Sequence, residues 1–519
     1  MRKMLWSALL LFGIACHNQQ TEEKKESNLP GSALALQHCS SCHAYVAPDQ
    51  LPKEVWEKNV LPAMGFRMGI FEGSHPPDSL FENGKARQLV EDANIYPEEP
   101  VLSKVDWEKI VDYYIENAPD SLSASPKEKP MQIGLPHFAY KPSQFSVRPP
   151  LCTMVKIIPE RSQIAFSDGK DNVSRLVMLN QQMEKQYEVF MPSTPVDYQI
   201  LNDTAYLTTI GKKAFPTDHA QGTVEKIFSV SQEEKPDRST MLLEKLQRPV
   251  HVSYSDLNLD GRTDILVCDF GNLVGKLAWY ENMGGSEYNI RYLKHDPGAT
   301  LTVVKDIDED GRPDIIALMA QAREGIFLFK NSPGGFLKAQ PLLTFSPLNG
   351  STYFELVDFN QDRHLDILYT CGDNADTSPV LKNYHGIYIY LNDGNFQFKQ
   401  EWFYPLNGAY KALARDFDQD GDLDIAAISF FPDYAHSPEE SFVYLQNGGE
   451  MNFTAFSFPE STAGRWMVMD ANDIDQDGDI DLALGAFVSF FPEGDTTGLY
   501  QRWIEESPSV VLLENTIGN

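Results

Sequence analysis

From residue 256 onward, carboxylates recur at a spacing that suits a hard divalent cation. The frame D-x-[DN]-x-D-G-x-x-D opens at Asp256, Asp306, Asp358, Asp416 and Asp473, with starts 50, 52, 58 and 57 residues apart. The candidate ligands are Asp256, Asn258, Asp260 and Asp264; Asp306, Asp308, Asp310 and Asp314; Asp358, Asn360, Asp362 and Asp366; Asp416, Asp418, Asp420 and Asp424; and Asp473, Asp475, Asp477 and Asp481. Calcium takes several oxygens from a short, sharply turned loop, and these side chains with the carbonyl at position 7 supply such a cage, up to five times. Glycine at position 6 allows the turn. The third copy has Arg363 there, followed by His364, so its turn is expected to be strained or differently shaped and its metal occupancy the weakest. A merely solvated acidic face would not keep one frame five times, whereas a repeated structural unit does.

A second chemistry lies near the amino terminus. Cys39-Ser40-Ser41-Cys42-His43 is a CxxCH, whose two thiols suit the vinyl groups of a covalent haem c and whose imidazole suits its iron. A zinc or redox CxxC has the same spacing. However, a second CxxC or a suitably spaced histidine pair is absent, and Gly31 to His38 reads as a short helix where a thioredoxin-like site needs a strand. A c-type site often takes a methionine as the further axial ligand. Val55 to Met68 supplies Met64 and Met68. Met64 is favoured because Pro62 should break a helix and turn the sulfur inward; Met68 is the alternative, and His75 stands behind both. Core filling is the commoner role of a methionine.

The elements that must hold these groups differ in kind. Around the CxxCH the pattern is helical: Ser103 and Asp106 form a capping-box-like start, an apolar stripe follows at Trp107, Ile110, Val111, Tyr114 and Ala118, and Pro119 stops it. Pro119 to Pro150 holds seven prolines in 32 residues and reads as a semi-rigid linker. Around the acid loops the pattern is β. Position 12, a bidentate Glu in an EF-hand, is Val267, Ala317, Tyr369, Ala427 and Leu484, because each loop runs straight into a strand. A second β-rich run ends at Asn282, Asn331, Asn392, Asn447 and Asn515 in turn. Loop, strand, turn and strand at a period near 50 fit a four-stranded propeller blade. Ser162 to Asn180 and Tyr198 to Ser229 lack the acid frame and would complete seven blades.

The chain has 519 residues, 42% apolar and 11% aromatic, with a formal net charge of -31. That charge argues against nucleic acid as partner. Met1 to Cys16 reads as an export signal too short to span a bilayer, and its end, Gly13-Ile14-Ala15-Cys16, resembles a bacterial lipobox with Cys16 acylated. A plain signal peptide with an incidental cysteine is the simpler alternative. Thr21 to Lys24 is similar to the acidic patches that send Bacteroidetes lipoproteins to the outer surface. Cys152, Cys268 and Cys371 are read as buried thiols, or as one disulfide and a leftover.

The acid loops with their strands resemble FG-GAP or VCBS repeats, the propeller units also found in integrin α subunits, which implies calcium at the blade edges. The whole arrangement is similar to bacterial lipoproteins that join a cytochrome c-like segment to such a propeller. The implied organisation is 1–16 signal, 17–28 tether, 29–119 a small all-α haem domain, 120–150 linker and 151–519 a mainly β, seven-bladed propeller. Lipid anchoring in the cell envelope, on either face of the outer membrane, follows.

Three functions compete: electron transfer coupled to binding of a redox partner, glycan or other surface ligand; a haem-dependent oxidoreductase acting on a carbohydrate or alcohol; and an adhesin. No catalytic constellation is legible. His385 near Asp373 and Asp376 could mark a site, although a structured turn with a satisfied histidine explains it. The pairs Phe430-Phe431 and Phe490-Phe491 could pack between blades, and Arg465 and Trp466 precede the last acid loop.

Overall fold

The computed structural model describes residues 24–517 apart from 74, 128, 172, 229–237, 376, 377, 379 and 490–495. Cys16, Asp376 and the Phe490-Phe491 pair lie outside the described residues. Seven sheets form a ring: residues 155–191, 195–246, 249–294, 299–344, 351–405, 409–457 and 466–515. From the second sheet onward the first strand of each lies beside the first strand of the next, the seventh meets the first, and the first strand of the second sheet lies against the second strand of the first. The strand entered from each acid loop is buried along its whole length, at Asp264–Asp269, Asp314–Met319, Asp366–Cys371, Asp424–Ser429 and Asp481–Ala486. Apolar residues on both faces of those strands explain this, since each is covered by a neighbouring blade on either side. The two frame-less stretches form blades 1 and 2, so the fold is a mainly β, seven-bladed propeller.

The segment read as a linker is part of the ring. Gln132–Ile133 pairs in parallel with the last strand of blade 6, and Phe138–Pro142 pairs antiparallel with Val510–Asn515 as the fourth strand of blade 7. Proline is tolerated there because the strand is outermost and Pro142 closes it. An unanticipated helix, Leu499–Glu506, is inserted before the last strand of blade 7, with Trp503 buried and its Nε1 donating to the Thr462 carbonyl at 2.8 Å.

Residues 31–117 form a small helical unit. Its first helix, Gly31–Cys39, crosses the closing helix, Lys104–Asn117, where Ser103 caps the amide of Asp106 at 3.1 Å. Any side chain at Gly31 would lie 2.0 Å from the Lys109 carbonyl oxygen, so the crossing requires glycine. Pro62 does not break its helix. Lys53–Val55, a π turn at Trp56–Val60 and Leu61–Arg67 form one helical run, in which Pro62 occupies the first turn after the π turn, where no amide proton is needed.

Candidate metal corners and the cysteine turn

Each acid loop joins the first and second strands of its blade. The aspartate at position 1 accepts the amide of position 6 in every copy and that of position 5 in the first three: in the first copy Asp260 N–H at 3.0 Å and Gly261 N–H at 2.8 Å, both to Asp256. The aspartate at position 9 is buried in every copy and pins the corner. One oxygen takes the amide of position 2, from Leu257, Ile307, Phe359, Phe417 and Ile474 at 2.9–3.3 Å. The other takes the amide of the strand-ending asparagine, from Asn282, Asn331, Asn392, Asn447 and Asn515 at 2.7–2.9 Å. Those asparagine side chains then donate to the carbonyl at position 8. Asp264, Asp314, Asp366, Asp424 and Asp481 are therefore structural pins first, each with lone pairs left for a cation.

Three of the loops bring carboxylate oxygens within 4.8 Å of one another: Asp306, Asp308 and Asp314; Asp416, Asp418 and Asp420; and Asp473, Asp475 and Asp481. In the same three loops an oxygen of Asp308, Asp416 and Asp475 is buried without a hydrogen-bond donor. A buried, undonated carboxylate oxygen is costly unless a cation meets it, so these donor sets fit calcium. Burial, with neighbouring loop carboxylates adding, pushes the Asp424 carboxyl up to about 6 and that of Asp481 up to about 7; a bound cation would act in the opposite sense. The loops at 256 and 358 have asparagine at position 3, whose amide donates to Asp260 at 3.0 Å and to Asp362 at 2.9 Å, and Arg262 also pairs with Asp260.

The third loop keeps the common shape. Arg363 takes the glycine conformation, φ 73°, and its amide donates to Asp358 at 2.8 Å as glycine does elsewhere. The strain expected from the sequence is present, and the different shape is not. Replacing Arg363 with glycine is expected to stabilise the protein by about 1 kcal/mol, the strain relieved less the added freedom of the unfolded chain; a lower unfolding midpoint in urea would contradict this. Position 4 carries a signal that residue types did not reveal: Leu259, Glu309, Gln361, Gln419 and Gln476 are all left-handed, at φ 58–64°.

At the other end of the molecule, the CxxCH completes a turn after the first helix. The amides of Cys42 and His43 both donate to the Cys39 carbonyl, at 3.4 Å. His43 Nδ1 lies 2.7 Å from the Ala44 carbonyl and must donate to it, which leaves the Nε2 lone pair available for a metal. Cys42 is exposed, whereas Cys39 is half-buried and burial pushes its thiol up. Cys39, Met64 and Met68 pack against one apolar cluster that includes Leu34, Trp56 and Tyr114. His75 does not join them. It lines an open cleft of about 1120 Å³ and meets Glu98 at 3.1 Å.

The remaining motifs resolve differently. His385 is 1% exposed and neither ring nitrogen makes a well-formed hydrogen bond, so it is not the satisfied turn histidine expected; burial, and then the Lys382 ammonium, hold its pKa well below the usual range. Arg465 is buried over the Phe430 ring at 3.7 Å, and Phe430 meets Phe487 edge-on at 6.2 Å, so this phenylalanine packs between blades 6 and 7. Cys152, Cys268 and Cys371 are free, buried thiols.

Residues 256–317, 306–369 and 416–484 match the FG-GAP-like repeat family, and all five acid loops fall inside those spans. The chain carries FG-GAP-like repeats. No curated protein matches it. Among solved structures, the chain is similar to one from the S. cerevisiae complex of Dbp5 with Nup159, Gle1, IP6 and ADP, at 9% identity and a TM-score of 0.41 over 75% of this chain and 98% of that one. An Agrocybe aegerita lectin specific for non-reducing terminal N-acetylglucosamine matches at 15% identity and a TM-score of 0.39, covering 68% of this chain and 95% of the lectin. A luciferin-regenerating enzyme matches at 7% identity and a TM-score of 0.35, covering 56% and 88%.

Proposed function

We propose that this FG-GAP propeller is an exported, lipid-anchored binding module that carries a c-type haem on its helical unit and couples ligand or partner binding to electron transfer. FG-GAP propellers suit ligand binding or adhesion, and the acid corners suit calcium that stiffens the blades. The observation that carries the haem reading is the His43 ring, committed through Nδ1 to Ala44 and open at Nε2, one residue from Cys42 on a turn closed by the Cys39 carbonyl.

Cys39 and Cys42 would hold the haem as thioethers, each thiol giving its sulfur to one vinyl carbon and its hydrogen to the other. His43 and Met64, or Met68, would hold its iron, and the bound haem would supply one-electron chemistry. The chain's own part is to hold Cys39 on a dry cluster and to fix the tautomer of His43. Cys16 would anchor the protein to the envelope, facing a redox partner or surface glycan.

Expression in a host with haem-attachment machinery tests this. The expected product carries one haem's added mass and a c-type absorbance, both lost in Cys39→Ser with Cys42→Ser. A wild-type protein of apoprotein mass and no absorbance overturns the haem reading. Haem reduction by added sugar or alcohol alone would move the assignment to an oxidoreductase.

A further inference from the structure

The helical unit does not close its own core. Leu348, on the link between blades 4 and 5, is 9% exposed and belongs to the same apolar cluster as Leu34 and Trp56. Val380 and Tyr384, on the connection between the second and third strands of blade 5, pack against that cluster, as do Cys39, Met64 and Met68. Polar contacts hold the same junction. The Arg323 guanidinium donates at 3.1 Å to the carbonyl of Ser41, between the two cysteines, and Tyr384 Oη donates at 3.3 Å to the Gln50 carbonyl. Further round the ring, Glu82 accepts the Thr217 hydroxyl at 2.8 Å and the Asp218 amide at 2.6 Å.

These contacts come from connections at the end of the blades opposite the acid corners. The chain leaving the helical unit is also tied down, with Ser125 donating to the Asn383 carbonyl at 2.5 Å and Lys129 to Asn452 at 2.8 Å. A module swinging on a loose linker would need none of this and would have to cover its own core with its own residues.

We propose that the propeller supplies one wall of the haem site, with Leu348 as the positioning residue that keeps water and small ligands from the group held at Cys39 and Cys42. This rests on the haem reading above. A group bonded to Cys39 and reaching Met64 lies against the cluster that both side chains share, and Leu348 is part of that cluster. Burial of a haem is one of the protein's levers on its potential. The wall thus ties haem chemistry to the propeller face, so that whatever shifts the connections of blades 4 and 5 shifts the haem environment.

The test uses the full-length protein in two forms. In haem-loaded protein, Leu348→Ala is expected to speed carbon monoxide binding to the reduced haem by about tenfold, equivalent to about 1.4 kcal/mol off the barrier to entry. Its midpoint potential should become more negative, and Leu348→Met should restore both. In protein made without haem attachment, Leu348→Ala is expected to speed alkylation of Cys39 by iodoacetamide by about the same factor, since Cys39 shares the cluster, while exposed Cys42 stays unchanged. Arg323→Gln, which leaves the core intact, should likewise shift the potential without unfolding. Wild-type rates and potential in a folded Leu348→Ala protein overturn the wall. Absence of covalent haem in the wild type overturns the haem reading alone, and the alkylation comparison still decides whether the propeller covers Cys39.

Discussion

Removing calcium with EGTA is expected to lower the unfolding temperature by about 10 °C, and a calorimetric titration is expected to find three tight sites and two weaker ones. The count follows from charge and from existing partners. The loops opening at Asp306, Asp416 and Asp473 carry four acids each at the ligand positions and leave a buried carboxylate oxygen without a donor. The loops opening at Asp256 and Asp358 carry three, and their Asn258 and Asn360 amides already engage the position-5 aspartates. Ligand charge tunes calcium affinity over orders of magnitude, so the two groups should separate. A tight site held at about 100 times its dissociation constant contributes about 2.7 kcal/mol, and three give about 8. A ring of this size shifts by little more than about 1 °C per kcal/mol. Five equal sites would show that the asparagine loops open to the ion as readily as the others. An unfolding temperature indifferent to EGTA would remove calcium from the account.

What the residues announced was what repeats. Carboxylates at fixed spacing followed by three apolar residues mark a corner and a buried strand, and both are where the period puts them. The asparagines closing the third strands were visible as turn residues, but that their amides cap the position-9 aspartate depends on a contact between strands 17 to 34 residues apart, which no local pattern encodes. The left-handed residues at position 4 are leucine, glutamate and glutamine, types that avoid that conformation when free to choose, so the corner imposes it. Pro62 misled because a π turn can absorb what proline takes from a helix. Prolines between 119 and 150 misled in the other direction: composition reads as linker, while Phe138 and Tyr140 among them read as little until their partners are known. The dependence of the helical core on Leu348 was likewise beyond reach, since one leucine in a blade connection looks like any other.

A chain begun at residue 151, where composition alone would place the propeller, is expected to fail to form a closed ring. Blade 7 draws only three strands from residues 466–515, and its fourth is Phe138–Pro142, paired residue for residue from Phe138 opposite Asn515 to Pro142 opposite Val511. Without it the last strand becomes an open edge with unmet backbone groups, a template for association with other chains. Its side chains matter as much. Phe138 meets Phe417 at 5.8 Å and Tyr444 at 5.7 Å, and Tyr140 meets Phe458 at 5.9 Å, so this one strand covers the core between blades 6 and 7. A ring in which blade 7 must meet blade 1 tolerates no weak sector, because each blade is held only by its two neighbours. The 151–519 chain should therefore be recovered aggregated or with rapid amide exchange in blades 6 and 7, whereas a chain begun at residue 131 should stay soluble and exchange slowly. In the full chain, Phe138→Ala should cost about 2 kcal/mol or more by the packing it removes, read as a lower midpoint in urea. Cooperative unfolding of the 151–519 chain at the full-length midpoint would show that the ring closes on three strands. The amino-terminal segment would then be a passenger on a completed propeller, and the strand order at blade 7 makes it the clasp.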